Sequence, residues 1–444
     1  MNYIPHTEQE IKEMLSAIGV SCLDDLFSDI DKDLLADSFS IPAGRSEFEV
    51  LEHFKKLSQL NNVSLVNLSG GGFYEHYIPA VVDKLAGRAE FYTPYTPYQP
   101  ECSQGTLQAI YEYQSLICRL TSMEVANASV YDGGTALAEA ILMALRITKR
   151  KKVIIDASIN PLYQQIINTY INQDSCQIIT VESVDYGLNR DGVNDLLDND
   201  TAAVIMQNPN FFGRIDDYSD IIEKIHQEGA LAICSVYPIS LGLIKPAGEM
   251  AADIVTGEAQ CLGNPLNFGG PFLGFVATLD KYVRQLPGRV AGATIDKQGR
   301  KGFVLTLQAR EQHIRRQKAT SNICTNENLC ALRALIYLVA LGEQGFKELA
   351  RANYFKAQFA RKVLTEVPGL KVDSSYPVFN EFVIEVDNAG ELYHQLLEAG
   401  FIPGVPLVKF YPQMQNKILL CFTEKTTKET ILAFKEKIAE FMKN

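Results

Sequence analysis

Metal ligands, paired cysteines and an excess of positive charge are what this sequence lacks. The six histidines are scattered with no H-x-x-x-H pair, and the nine cysteines (22, 102, 118, 176, 234, 261, 324, 330 and 421) form no C-x-x-C. Neither a zinc site nor a disulfide frame fits those spacings, and an odd, scattered set reads as reduced thiols of a cytoplasmic protein. With 41 Lys and Arg against 53 Asp and Glu the formal charge is −12, which argues against a nucleic-acid or anionic-membrane surface. No apolar run approaches the ~20 residues of a membrane span. The opening "MNYIPHTEQEIKEML" lacks the basic and apolar segments of a secretion signal. The expectation is a cytoplasmic protein without metal, nucleic acid or membrane.

What is present is a chain of 444 residues, 47% apolar and 21% charged. That length exceeds one compact core, so two or three domains are expected. Residues 1–60 read as a helical segment, with Thr7 and Glu10 at capping-box spacing and Ile11, Met14, Leu15 and Ile18 on one apolar stripe. It is too small for its own core and is expected to pack on another domain or subunit.

Residues 61–325 read as a large α/β domain. From about 125, short apolar runs alternate with helices: "KKVIIDAS", a helix started by Asn160 and Pro161, "CQIITVES", a short helix at "VNDLL", "TAAVIMQNPN", a helix closed by Gly229, then "ALAICSVY", "AADIVTG" and "FLGFVATL". Continuous apolar strands separated by helices predict a mostly parallel sheet covered on both faces. Residues 326–444 read as a small α+β domain with a linking helix over 326–366. It continues with strands at "NEFVIEV" and "NKILLCF", a helix at "ELYHQLLEAG", and a final helix capped by Thr426 with Glu429. This layout is that of the aspartate-aminotransferase-like enzymes, fold type I of the pyridoxal-phosphate transferases.

Five stretches carry candidate chemistry. "YDGGTALAEA" puts Gly133, Gly134 and Thr135 just after Asp132 at a helix start, either a phosphate cradle or a tight capped turn. "EFYTPYTPYQPECSQG" repeats Tyr92, Tyr95 and Tyr98 between prolines, an extended segment that is either an arm on a subunit surface or a pocket wall. "GGGFYEH" sets Gly70–Gly72 before His76, which reads first as a packing histidine. "REQHIRRQK" gathers Arg310, Arg315, Arg316 and Lys318, by default a solvated or ion-paired helix face and alternatively a carboxylate clamp. In "DIVTGEAQCLGNPLNFGGPFLGF" a strand runs into the Gly- and Pro-rich loop where such enzymes carry their Schiff-base lysine. No lysine occurs between Lys245 and Lys281, and "ALAICSVYPISLGLIK" has no Asp or Glu to face a pyridine nitrogen. Both absences together speak against a self-sufficient pyridoxal enzyme.

Together these stretches resemble the N-terminal-half subunit of the P-protein family, glycine dehydrogenase (decarboxylating), over nearly the whole chain. The resemblance implies a pyridoxal-phosphate-free α subunit that assembles with a β subunit as an α2β2 heterotetramer. The cofactor and its lysine would belong to the β subunit. The implied reaction decarboxylates glycine, transfers the aminomethyl group to the lipoyl arm of H-protein and releases carbon dioxide. It further implies Tyr95, Thr96, Tyr98 and Glu101 as contacts of a shared cavity without a proton-transfer role, and Gly133–Thr135 as a vestigial phosphate cradle. Asn160 departs from the histidine expected there. The alternatives are an independent aminotransferase or decarboxylase using Lys245 or Lys281, and a purely structural or regulatory paralogue.

Overall fold

The computed structural model describes residues 6–36, 38, 40–171, 176–267 and 270–443. Phe268 and Gly269 of the lysine-free loop therefore lie outside the described residues. The chain divides into two compact units, Met1–Val63 and Ser64–Asn444.

In the first unit, Glu8–Ile18 is a helix with the expected capping box: the Thr7 side chain accepts from the Glu10 N–H and Glu10 bonds back to the Thr7 N–H. Of its apolar stripe only Leu15 is buried, while Met14 and Ile18 stand exposed. A second amphipathic helix, Glu47–Ser58, also starts in a capping box, Ser46 with Glu49.

The second unit is built on a seven-stranded sheet. Its strands are β1 (Val125–Ala126), β2 (Lys152–Asp156), β3 (Gln177–Val181), β4 (Thr201–Asn208), β5 (Leu231–Val236), β6 (Ile254–Glu258) and β7 (Gly274–Thr278). Their spatial order is β1-β7-β6-β5-β4-β2-β3. Strands β2 to β6 run parallel, whereas β7 and β1 are antiparallel to their neighbours. β4, β5 and β6 are buried at every position, which is why they read as unbroken apolar runs. Chain order reverses where β2 pairs with both β3 and β4, and in such sheets ligands bind outside the carboxyl ends near the reversal. One cored face takes Ala136–Ala144 from the Gly133–Thr148 helix, and another takes Ile221–Ile225 with Tyr113 and Tyr337.

A hairpin, β8 (Val290–Ile295) with β9 (Lys301–Thr306), follows the sheet and was not foreseen from sequence. A four-stranded sheet forms the small layer: β10 (Lys371–Val372), β11 (Glu381–Glu385), β12 (Val405–Pro406) and β13 (Lys417–Cys421), in the order β10-β11-β13-β12. Its last helix, Lys428–Phe441, is capped one residue later than expected. The cap is Thr427 and not Thr426: its backbone is extended and its side chain accepts from the Thr430 N–H.

Asn328–Leu364 is long and apolar enough to cross a membrane by length and composition, which the sequence reading overlooked. It breaks at Gly342 (φ 63°, ψ 179°). Ala331, Ala334, Tyr337 and Phe346 before or just after the break lie in the large core, and Ala357, Ala360 and Leu364 lie in the small one. It is a core helix shared by two layers.

Candidate functional site

The carboxyl ends of β2, β4 and β6 open on the crevice where this sheet topology places ligands. Here the chain's own groups fill it. Glu258, the last residue of β6, is fully enclosed. Its Oε2 accepts from the Gly133 N–H at 2.9 Å, and its Oε1 from the Gln260 and Leu273 N–H groups at 2.8 and 2.9 Å. Burial outweighs these three donors and pushes the Glu258 carboxyl up to about 7. Asp132 caps the same helix, accepting from the Thr135 N–H at 2.8 Å and the Thr135 hydroxyl at 3.1 Å. The N–H groups of Gly133 and Thr135 thus end on carboxylates of this chain, and Tyr163 and Ile166 cover the two glycines.

The triple glycine lies against the same crevice. Asn160, fully buried, receives the Leu162 N–H as the helix cap. Its own N–H donates to Gln207 Oε1 at 2.8 Å, and its amide donates to the Gly71 carbonyl at 3.0 Å. Gly72 has φ +107°, and a Cβ there would collide with that amide. The glycines allow a close approach, as their spacing predicted, but what approaches is the chain's own Asn160 and Glu381.

Glu381 reaches in from the small layer. Its carboxylate accepts from the Gly71 N–H and the Tyr74 hydroxyl, both at 2.6 Å, and burial pushes it up to about 7. An ordinary glutamate ionises near 4.3 in the unfolded chain, so the native state holds the extra proton between the two values. The stability this proton contributes is complete below about pH 4 and is lost as the pH rises through 7. Thermal stability is therefore expected to fall from pH 5 to pH 8. Glu381→Gln, whose amide can still accept from Gly71 and donate to Tyr74, flattens that decline in melts across the range. An unchanged slope in the variant contradicts the assignment.

His76 ties three elements together. Nδ1 lies 2.7 Å from Glu424 Oε2, Nε2 bonds the Tyr237 hydroxyl, and Glu424 also accepts from Asn353 at 3.0 Å. With both ring nitrogens engaged and the residue buried, His76 joins the turn after β5 to the small layer and, through Glu424, to the long helix. A cavity of about 480 Å³ remains beside it, lined in part by Tyr74, Gln260, Asn264 and Lys425. Lys425, which sequence reasoning overlooked, is paired with Glu75. Lys245 donates to Ser219 and Asp217, and Lys281 lies against Asp253 and the Tyr282 ring.

The tyrosine segment forms a second cluster. Tyr92 closes a one-turn helix, Ala89–Tyr92, and Thr93 still has helical backbone angles, so the proline-rich run leaves the helix only after Thr93 and not at Tyr92. Tyr95 is 77% exposed and Glu101 is exposed, while Thr96 is half-buried. Thr96 and Tyr98 both bond Arg289, which also faces Glu311. The 307–318 stretch is a series of short turns and not the expected helix face. Arg310 and Arg315 there donate to the carbonyls of Leu307, Gly288 and Ala309. Glu258, Glu381 and Arg289 escaped the sequence reading, although an acid closing an apolar strand is a signal that could have marked Glu258.

The Glycine cleavage system P-protein family model matches residues 1–437. The chain belongs to this family. It is 54% identical to the probable glycine dehydrogenase (decarboxylating) subunit 1 of Geotalea uraniireducens, over 99% of each chain. A crystal structure of a P-protein glycine decarboxylase in inhibitor-bound form aligns with TM-score 0.90 and 42% identity, covering 99% of this chain and all of that one. Lactobacillus brevis glutamate decarboxylase, at 14% identity and TM-score 0.68 over 95% of this chain and 97% of that one, shares the fold alone. The P-protein fold is fold type I of the pyridoxal-phosphate enzymes.

Pyridoxal phosphate is the group this fold implies, and the P-protein crevice described here does not fit it. The Gly133 N–H that would meet a phosphate is spent on Glu258, and Tyr163 covers the glycines. β5 offers Cys234 and Ser235 but no carboxylate. The described part of the loop after β6 carries no lysine.

Proposed function

We propose that this chain is the cofactor-free α subunit of a cytoplasmic glycine decarboxylase. It assembles with a β subunit that holds pyridoxal phosphate and its lysine, in an α2β2 heterotetramer. The complex decarboxylates glycine and passes the aminomethyl group to the lipoyl arm of H-protein. The observation that carries this reading is the crevice closed by Glu258, Asn160 and the Gly70–Gly72 turn, in a chain whose relatives bear the name of a numbered subunit. Gly133, Gly134 and Thr135 are then a vestigial cradle in which the Gly133 and Thr135 N–H groups have been reassigned to carboxylates. Tyr95, Thr96, Tyr98 and Glu101 line the shared cavity. The exposure of Tyr95 and Glu101 suits a surface completed by another chain.

The test is a visible spectrum of the purified chain with excess pyridoxal phosphate, then of the chain with its partner. Borohydride reduction and mass spectrometry follow. No trapped adduct on this chain, with glycine decarboxylation only in the mixture, is the expected result. A stoichiometric adduct on Lys245, Lys281 or Lys425 makes the chain an enzyme in its own right. If Tyr95→Ala and Glu101→Gln leave turnover of the assembled complex intact, the cavity role is wrong and a structural one remains.

A further inference from the structure

We infer that Arg289 is the positioning residue of the tyrosine segment, fixing Thr96 and Tyr98 for the shared cavity. The inference rests on the cavity reading proposed above. Arg289 is 3% exposed, whereas Tyr95 and Tyr98 of the segment it bonds are 77% and 51% exposed. One terminal nitrogen donates to Thr96 Oγ1 at 3.2 Å and the other to the Tyr98 hydroxyl at 3.0 Å. The guanidinium carbon lies 5.1 Å from the Tyr98 ring centroid. The chain turns tightly at Pro97, where the Tyr98 N–H donates to the Thr96 carbonyl at 2.9 Å, and this turn sets Thr96 and Tyr98 close together. A planar fork therefore takes Thr96 and Tyr98 at once, where a lysine offers one point charge.

The fork itself is held from behind. Arg289 Nε faces Glu311 Oε2 at 3.5 Å, and the side chains are only 4% and 9% exposed. A guanidinium so enclosed needs a counter-charge, and Glu311 supplies it from the 307–318 stretch. The Arg289 carbonyl accepts from the Ala128 N–H at 2.7 Å, and the preceding Gly288 carbonyl accepts from Arg310 at 3.0 Å. Backbone and side chain are thus fixed on one rigid corner at the start of β8. Two stretches that looked unrelated in sequence, "YTPY" and "REQH", meet on this one arginine. Each guanidinium nitrogen has a partner within the chain and the residue is buried, so Arg289 is placed to act through the tyrosine segment and not on glycine itself.

The experiment measures glycine turnover of the assembled complex for Tyr98→Ala, Arg289→Ala, Arg289→Lys and the double variant Arg289→Ala/Tyr98→Ala, with melts of each isolated chain. Arg289→Ala is expected to lower kcat/KM about 10- to 100-fold. The double variant should fall within about twofold of it, because both changes remove one interaction. Arg289→Lys is expected to restore the melting temperature but not the turnover, since it returns the charge without the fork. Should Arg289→Ala fail to fold, the same cycle is run on Arg289→Lys. Multiplying effects, or full turnover in Arg289→Lys, overturn the inference while leaving the cavity reading in place. A Tyr98→Ala complex with native turnover removes the cavity reading, and the role of Arg289 with it.

Discussion

Glu258→Ala is expected to lower the stability of the protein by about 3–5 kcal/mol, seen as a lower urea midpoint at unchanged slope. Three backbone N–H groups, from Gly133, Gln260 and Leu273, end on this one carboxylate. They come from the start of a helix, the loop after β6 and the approach to β7. Removing the acceptor leaves all three donors enclosed without a partner, and each such group costs roughly 1–3 kcal/mol. Loss of the buried charge returns part of that, which is why the expected total lies below the simple sum. A loss under about 1 kcal/mol means that water takes over the three donors and that the carboxylate is a passive filler.

Gly72→Val is the second large effect, expected at roughly 3–5 kcal/mol in the same measurement. Two penalties combine: a branched residue at φ +107°, strained by about 1–3 kcal/mol, and overpacking of similar size against the Asn160 amide. That amide cannot retreat without giving up its bond to the Gly71 carbonyl. Gly390→Ala is the control: it lies in the first turn of the Ala389–Glu398 helix with open space around it. Alanine there is expected to be neutral or stabilising by up to ~1 kcal/mol. Equal losses at the two positions contradict the packing argument.

The large sheet was legible because parallel strands covered on both faces have no solvent-facing positions to impose an alternating pattern, so apolar residues run on through the middle of Thr201–Asn208 and Leu231–Val236. The β8–β9 hairpin was not, because it is only partly covered and its residues 290–295, "VAGATI", are buried at one end and exposed at the other. The final cap slipped by one residue where two threonines adjoin, since Thr426 and Thr427 offer the same hydroxyl and residue type does not choose between them. In the site, glycine spacing announced a close approach at Gly70–Gly72 but could not name the visitor. Glu381 stands 310 positions from Gly71, and Arg289 stands 191 from Tyr98. Such pairings depend on which strand ends and layers the topology brings together, and no local pattern encodes them.

The closed crevice also bears on what the folded state depends on. A protein that binds a ligand only when folded gains stability as the ligand accumulates and loses it in scarcity. With Glu258 and Asn160 holding the cradle's N–H and the Gly71 carbonyl, the proposed cofactor-free reading makes folding here independent of pyridoxal phosphate. On that reading the melting temperature of the isolated chain is expected to stay the same with and without added pyridoxal phosphate, and a rise on addition contradicts it.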